Sequence, residues 1–170
     1  MGRGYAVRFA ALKNMQIHLL AVGTRMPGWV EEGYGDYAKR LPAECALKLV
    51  EIPMAKRGKG NSDIPRLMAQ EAERITAAIP RSARVVALEV GGKAWSTEQL
   101  AQRLKQWLGD GRDVALLVGG PDGLDPGLRQ RADELWSLSP LTLPHPLVRI
   151  LLAEQIYRAW SILNNHPYHR

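Results

Sequence analysis

Short apolar segments of strand length alternate with amphipathic segments of helical length along most of this chain. The strand-like segments are residues 16–22, 46–52, 84–90 and 113–118. Strands that are apolar over most of their length are typical of parallel sheets covered by helices on both faces. The alternation therefore predicts an α/β fold with a mostly parallel sheet flanked by helices.

Capping signals locate the helices between these strands. Ser96 with Gln99 three residues later has the capping-box pattern, and Asp125 followed by Pro126 is a typical helix start. The predicted helices are residues 28–41, a helix that begins after Ser62 or Asp63 with Pro65 in its first turn, a helix from Ser96 to Gly109, a helix opened by Asp125-Pro126, and residues 147–163.

Composition limits the class of protein. A chain of 170 residues fits one domain, and its single cysteine, Cys45, excludes an internal disulfide and a cysteine-rich zinc site. No apolar stretch approaches the roughly 18 residues of a membrane span. Half of the formal net charge of +6 lies in residues 1–14. We expect a cytoplasmic protein with one domain, residues 15–170, after a flexible extension or an upstream start codon.

Residues 135–148 break the alternation, because they combine apolar side chains with prolines. The segment reads LWSLSPLTLPHPLV, and Pro140, Pro144 and Pro146 exclude a regular helix or a central strand. Its buried backbone groups must find hydrogen-bond partners elsewhere. Two interpretations stay open: a bound ligand with an apolar body and a hydrogen-bonding edge, or a buried crossover loop that the protein's own backbone satisfies.

The last predicted helix places Arg149 on an apolar face, opposite the polar side that carries Glu154 and Arg158. An arginine in apolar surroundings is costly unless it is paired or faces a partner. An internal salt bridge and a functional role are therefore both open for Arg149. Glu154 and Arg158 have the i,i+4 order of a helix-stabilising ion pair.

The chain ends in the polar, aromatic and basic sequence NNHPYHR. One interpretation is a frayed terminus, and the other is a tail that brings stacking and charged groups to a nucleotide. His166 and His169 lack a companion pair of ligands, so no metal site is predicted.

Several sequence blocks together resemble one protein family. They are VGGPDGL at 118–124, SLSPLTLPHPLVR at 137–149, EQIYRAWSI at 154–162 and the terminal NHPYHR, supported by AVGTRMPGW at 21–29 and EIPMAKRGKG at 51–60. The chain from Met15 onward resembles the RlmH family of the SPOUT superfamily, the 23S rRNA (pseudouridine-1915) N3-methyltransferases.

The resemblance implies a SPOUT-type α/β fold with a deep trefoil knot at its C-terminal end, which acts as a homodimer. It implies S-adenosyl-L-methionine as cofactor and 23S rRNA on the assembled ribosome as partner, with helix 69 as the site of methylation. The cofactor contacts that it implies are Leu88, Gly119, Leu138, Ser139, Pro140, Leu141, Thr142 and Leu143.

Methyl transfer to a pseudouridine needs groups that hold the base, stabilise its charge and accept its N3 proton. Arg149, Tyr168, His169 and Arg170 are the candidates for these catalytic roles. The basic loop Lys56–Lys59 is interpreted either as a phosphate-binding loop or as a solvated loop. Two other functions stay open: a non-catalytic ribosome-binding or assembly factor, and a SPOUT methyltransferase with another RNA target.

Overall fold

The computed structural model describes residues 14–60 and 63–170. The strands are β1 (Met15–Val22), β2 (Cys45–Ile52), β3 (Arg84–Ala94), β4 (Val114–Val118) and β5 (Glu134–Ser137). The helices are α1 (Gly28–Ala38), α2 (Ile64–Ala78), α3 (Thr97–Asp110), α4 (Pro126–Arg131) and α5 (His145–Leu163), followed by a 3₁₀ turn (Pro167–His169). The expected extension, apart from Asn14, and the candidate cap Ser62 lie outside the described residues.

The five strands form one parallel sheet in the order β2-β1-β4-β3-β5. Each residue of the central strand β4 is buried. Apolar side chains of α1, α3 and α5 pack on one face of the sheet, and those of α2 and α4 pack on the other. The predicted α/β fold with a parallel sheet flanked by helices is confirmed.

Most capping predictions are confirmed. Ser96 and Gln99 form both hydrogen bonds of a capping box, and the side chains of Asp63 and Asp125 cap α2 and α4. The predicted end of α3 at Gly109 is wrong. The helix continues to Asp110 and ends at Gly111, whose φ of 75° is the left-handed conformation that favours glycine.

The proline-containing segment is more regular than predicted. Residues 135–137 belong to β5, which lies at the sheet edge and pairs with β3 in the described part of the chain. Helix α5 begins at His145, two residues before its predicted start, because Pro146 falls in the first turn, where no intrahelical N–H bond is lost. Irregular backbone is thus confined to residues 138–144.

Candidate active site

A cavity of about 340 Å³ lies at the carboxyl ends of β3 and β4. Its walls come from the end of β3 (88–90), the turn after β4 (118–124), and the loop before α5 (138–144) together with the start of that helix. The volume falls within the roughly 300–1,000 Å³ of small-molecule sites. Parallel α/β sheets commonly bind ligands at this edge.

A bulge in β3 shapes the first wall. Leu88 and Lys93 both pair with Trp136 of β5, so the residues between them leave the ladder, and Glu89 and Val90 line the cavity. Gly92 is needed for the close return of the strand, since a Cβ there would lie 2.8 Å from the carbonyl carbon of Leu135. Bulges beside active sites commonly redirect side chains in this way.

The second wall is the glycine turn that follows β4. A Cβ on Gly119 would lie 2.5 Å from the carbonyl carbon of Gly123, so the turn closes only with glycine at position 119. An ion pair between Arg57 and Asp122 joins this turn to the basic loop. The exposed Lys56 and Lys59 of that loop extend its positive charge.

The third wall is the loop of residues 138–143. Leu141 exposes 70% of its surface, although leucine is strongly apolar. The N–H of Leu141 donates to Ser139 Oγ over 3.0 Å, whereas the N–H groups of Thr142 and Leu143 donate to no residue that the structure describes. The loop therefore offers both apolar surface and free main-chain donors.

The structure brings together most of the residues expected to contact the cofactor. Those that line the cavity are Leu88, Gly119, Leu138, Ser139, Leu141, Thr142 and Leu143. Pro140 is exposed and lies outside the lining. Residues from three distant parts of the sequence thus surround one space.

Arg149 is buried beside this cavity, with 1% of its surface exposed. Its Nη1 donates to Glu51 Oε2 over 2.8 Å, and its Nη2 donates to the Gly23 carbonyl over 2.7 Å. The hydroxyl of Tyr34 is also buried, and burial raises the pKa of that phenol. The geometry favours the internal salt bridge over direct substrate contact for Arg149.

His145 lies one helical turn before Arg149 and lines the cavity. A Cβ built on Gly23 would lie 3.5 Å from both His145 Nε2 and Arg149 Nη2, so the two side chains border the same point. Burial and, secondly, the charge of Arg149 lower the pKa of His145. The lowered pKa favours the neutral imidazole, which is able to accept a proton.

The C-terminal tail lies along the second half of α5 and away from the cavity. The Tyr168 hydroxyl donates to Glu154 Oε1 over 3.0 Å, and the Arg158 guanidinium lies 5.0 Å from the Tyr168 ring centre. Burial and the bond to Glu154 raise the pKa of Tyr168 to about 12. Glu154 is nine residues beyond His145, about 13 Å along a helix axis.

Tyr168, His169 and Arg170 are therefore not brought to the cavity of their own chain. Glu154 also pairs with Arg158 over 2.6 Å, which confirms the predicted i,i+4 ion pair. His169 Nδ1 is buried without a partner in the described part of the chain.

Sequence reasoning did not name several residues that line the cavity, among them Glu89, Trp136 and His145. The signal for His145 was present, since it lies within the segment 135–148 that broke the strand–helix pattern. The signal for Glu89 was absent, because only the bulge turns it inward.

None of the helices in residues 14–60 and 63–170 is both long and apolar enough to cross a membrane. Within the same residues, no group of three or more His, Cys, Asp or Glu side chains is arranged to hold a metal ion.

Comparison with known proteins agrees with this architecture. A solved structure described as a probable methylase family protein from Haemophilus influenzae Rd KW20 superposes with a TM-score of 0.53 at 13% identity, covering 94% of this chain and 71% of that one. At such low identity, the match concerns the fold alone.

Sequence comparison is more specific. The family described as predicted SPOUT methyltransferase matches residues 15–169. Ribosomal RNA large subunit methyltransferase H of Marinomonas sp. is 62% identical over 92% of this chain and 100% of the relative. The protein of the same name from Methylococcus capsulatus is 61% identical with the same coverage. The chain therefore belongs to the SPOUT methyltransferase family, among the proteins named ribosomal RNA large subunit methyltransferase H.

Proposed function

We propose that this protein methylates N3 of a pseudouridine in helix 69 of 23S rRNA, with S-adenosyl-L-methionine as cofactor and the assembled ribosome as substrate. The observation that carries the proposal is the convergence of β3, the glycine turn and the loop 138–143 on one cavity. The names of the most similar relatives support rRNA of the large subunit as the substrate class. Such a substrate implies a cytoplasmic location.

The shape and chemistry of the cavity wall fit a nucleoside cofactor. The leucines at 138, 141 and 143 supply apolar walls for a flat ring, and the free N–H groups of Thr142 and Leu143 supply donors for a polar edge. Small-molecule sites typically combine apolar walls with a few placed polar groups. The cofactor supplies an electrophilic methyl group when it is bound.

This chain's own residues would contribute mainly by positioning. Alignment of two reacting groups in one cavity removes a large entropic part of the barrier. The N3 proton must leave, and the negative charge that develops on the uracil oxygens needs a nearby cation or donor. Tyr168, His169 and Arg170 would hold the uracil base and stabilise this charge. Arg149 would act on the charge from its buried position.

A second copy of the chain would supply the tail, since the tail does not reach the cavity of its own chain. Helix α5 exposes Leu147 and Leu151, one turn apart, to 39% and 40%. Exposed leucines on a long helix are a typical feature of a subunit interface. We include a homodimer in the proposal for this reason, with each active site built from two subunits.

The C-terminal trefoil knot is also part of the proposal. Its support is that loop 138–144 lies between the edge strand β5 and helix α5, which packs back against α1 and α3. Residues 15–170 would form the catalytic domain, since the family match spans nearly all of them. Residues 1–14 would be dispensable for catalysis.

The decisive experiment is a methyl-transfer assay with labelled S-adenosyl-L-methionine on assembled ribosomes, free large subunits and naked rRNA. We expect transfer to assembled ribosomes only, with mass mapping placing the methyl group on a helix 69 pseudouridine. A methyl group elsewhere would favour another RNA target. Failure of the folded protein to bind the cofactor in calorimetry would favour the assembly factor.

A further inference from the structure

The polar side chains that line the cavity differ in their ability to accept a proton. The carboxylate of Glu89 lies 3.2 Å from the guanidinium of Arg129 and is committed to that ion pair. The Ser139 hydroxyl is engaged by the N–H of Leu141. Hydroxyls such as that of Thr142 are very weak bases. His145 remains as the cavity residue with a free basic nitrogen.

The positive charges around His145 favour the neutral form of its ring, and they also favour an anion nearby. Arg149 lies one turn away on α5, with its charge shared between Glu51 at the end of β2 and the Gly23 carbonyl. Tyr34 of α1 faces the same arginine, and Glu89 of β3 faces the cavity. His145 also begins a 19-residue helix, whose amino-terminal end is the positive end of the helix dipole.

We propose that His145 is the general base of the methyl transfer. This proposal rests on the proposed function. The N3–H bond of the uracil ring breaks with its electron pair left on N3, and the proton forms a bond to His145 Nε2. The pair on N3 then forms the bond to the methyl carbon of the sulfonium donor, as the carbon–sulfur bond breaks with its pair left on sulfur. The imidazolium afterwards loses its proton to water.

Arg149 acts in this proposal as a positioning residue. Its fixed charge beside the imidazole disfavours protonation before the reaction and stabilises the uracil anion when it forms. The ion pair with the exposed Glu51 and the bond to the Gly23 carbonyl hold this charge in place. This role explains a buried arginine next to the cavity without any contact to substrate.

The test compares the wild-type protein with His145→Gln and with His18→Gln as a matched control. His18 is a partly buried histidine of β1 that bonds to Asp113 and does not line the cavity. We expect His145→Gln to lower kcat on ribosomes by about 100-fold or more, as for loss of a general base. Cofactor affinity in calorimetry and the melting temperature should stay near wild-type values, and His18→Gln should keep kcat within about threefold.

Two further measurements separate a base from a structural role. In the wild-type protein, the acid limb of the kcat–pH profile should coincide with the His145 imidazole titration followed by NMR with cofactor bound. In His145→Gln this limb should vanish, and the residual rate should rise steadily with pH. The comparison of the kcat–pH profile with the NMR titration does not depend on how well the variant folds, because both are measured on the wild-type protein.

Each outcome bears on a separate claim. A His145→Gln variant with full kcat, or an acid limb that persists in it, would overturn the assignment of the base while the methyltransferase stands. A wild-type protein that methylates no ribosome would overturn the proposed function, and this inference with it.

Discussion

The two halves of helix α5 contact different parts of the protein, although they belong to one continuous helix. The first half borders the cavity through His145 and holds the buried Arg149, whereas the second half binds the tail through Glu154 and Arg158. A 19-residue helix is about 28 Å long. The four residues predicted from sequence to be catalytic are therefore separated: Arg149 lies beside the cavity, and Tyr168–Arg170 lie at the other end of the helix. A single chain does not bring them together.

The largest expected effect concerns the C-terminal tail, which packs on the second half of α5. Deletion of Tyr168–Arg170 should lower methylation of ribosomes by about 100- to 1,000-fold, since groups that stabilise developing charge contribute on that scale. Cofactor affinity in calorimetry should change less than about threefold, because the tail lines no part of its own cavity. Full turnover by the truncated protein would remove the tail from catalysis.

The next largest effect concerns the cavity beside the first half of α5. Gly119→Val should weaken cofactor binding by about 100-fold, because even a Cβ at this position would collide with Gly123 and force the turn open. Gly109→Ala is the control, since position 109 has no neighbour within 4 Å of the added methyl group. Unchanged affinity in Gly119→Val would place the cofactor elsewhere.

A mixture of the two defective proteins sharpens the comparison. Tail-deleted subunits keep the cavity, and Gly119→Val subunits keep the tail, so a mixed dimer of the proposed kind would hold one complete site. We expect activity to return after the two proteins are mixed and allowed to exchange subunits. No recovery, with mixed dimers present by mass spectrometry, would contradict a site shared between subunits.

A smaller effect distinguishes the two interpretations of Arg149. Arg149→Met should lower the free energy of unfolding by about 1–3 kcal/mol, as expected when charge-assisted hydrogen bonds are lost and the carbonyl of the buried Gly23 is left unpaired. Urea denaturation measures this change, with Arg170→Met as the exposed control. A variant as stable as the wild type would show that the salt bridge contributes nothing to stability.

The smallest effect is the pH dependence of the docked tail. Burial and the bond to Glu154 raise the pKa of Tyr168 from 10.0 to about 12. A raised pKa means that this contact stabilises the fold fully below about pH 10 and loses that contribution as pH rises towards 12. Burial also raises the pKa of Tyr34, so tyrosinate absorbance should show late titration of both tyrosines in the wild type and of one fewer in Tyr168→Phe. Titration of Tyr168 at the ordinary pH would contradict the docked arrangement.

Much of the fold follows from local patterns. The capping box at Ser96 and the N-cap at Asp125 were predictable, because each depends on neighbours within a few residues, and the cap of α2 was narrowed to Ser62 or Asp63. The parallel sheet was predictable from the alternation of apolar strands with helices along the chain. The terminating glycine of α3 was wrong by two residues, since Gly109 and Gly111 are equally plausible terminators from sequence. The bulge of β3 was unpredictable, because it depends on pairing with β5, which lies far away in sequence.

The candidate site divides in the same way. The unusual composition of residues 135–148 marked the loop, and the resemblance supplied Leu88 and Gly119. Only the folded chain placed His145 and Glu89 in the cavity and buried Arg149 against Glu51 and Gly23.

The sequence by itself determined which segments form strands and helices and which segment could not be regular, because hydrophobic periodicity, capping and proline act over short distances. The tertiary structure decided which of the marked side chains share a cavity and which are closed off from it. That decision depends on contacts between residues as far apart as Gly23 and Arg149, which bond to each other across 126 positions. Packing sets such contacts, and no local pattern encodes them.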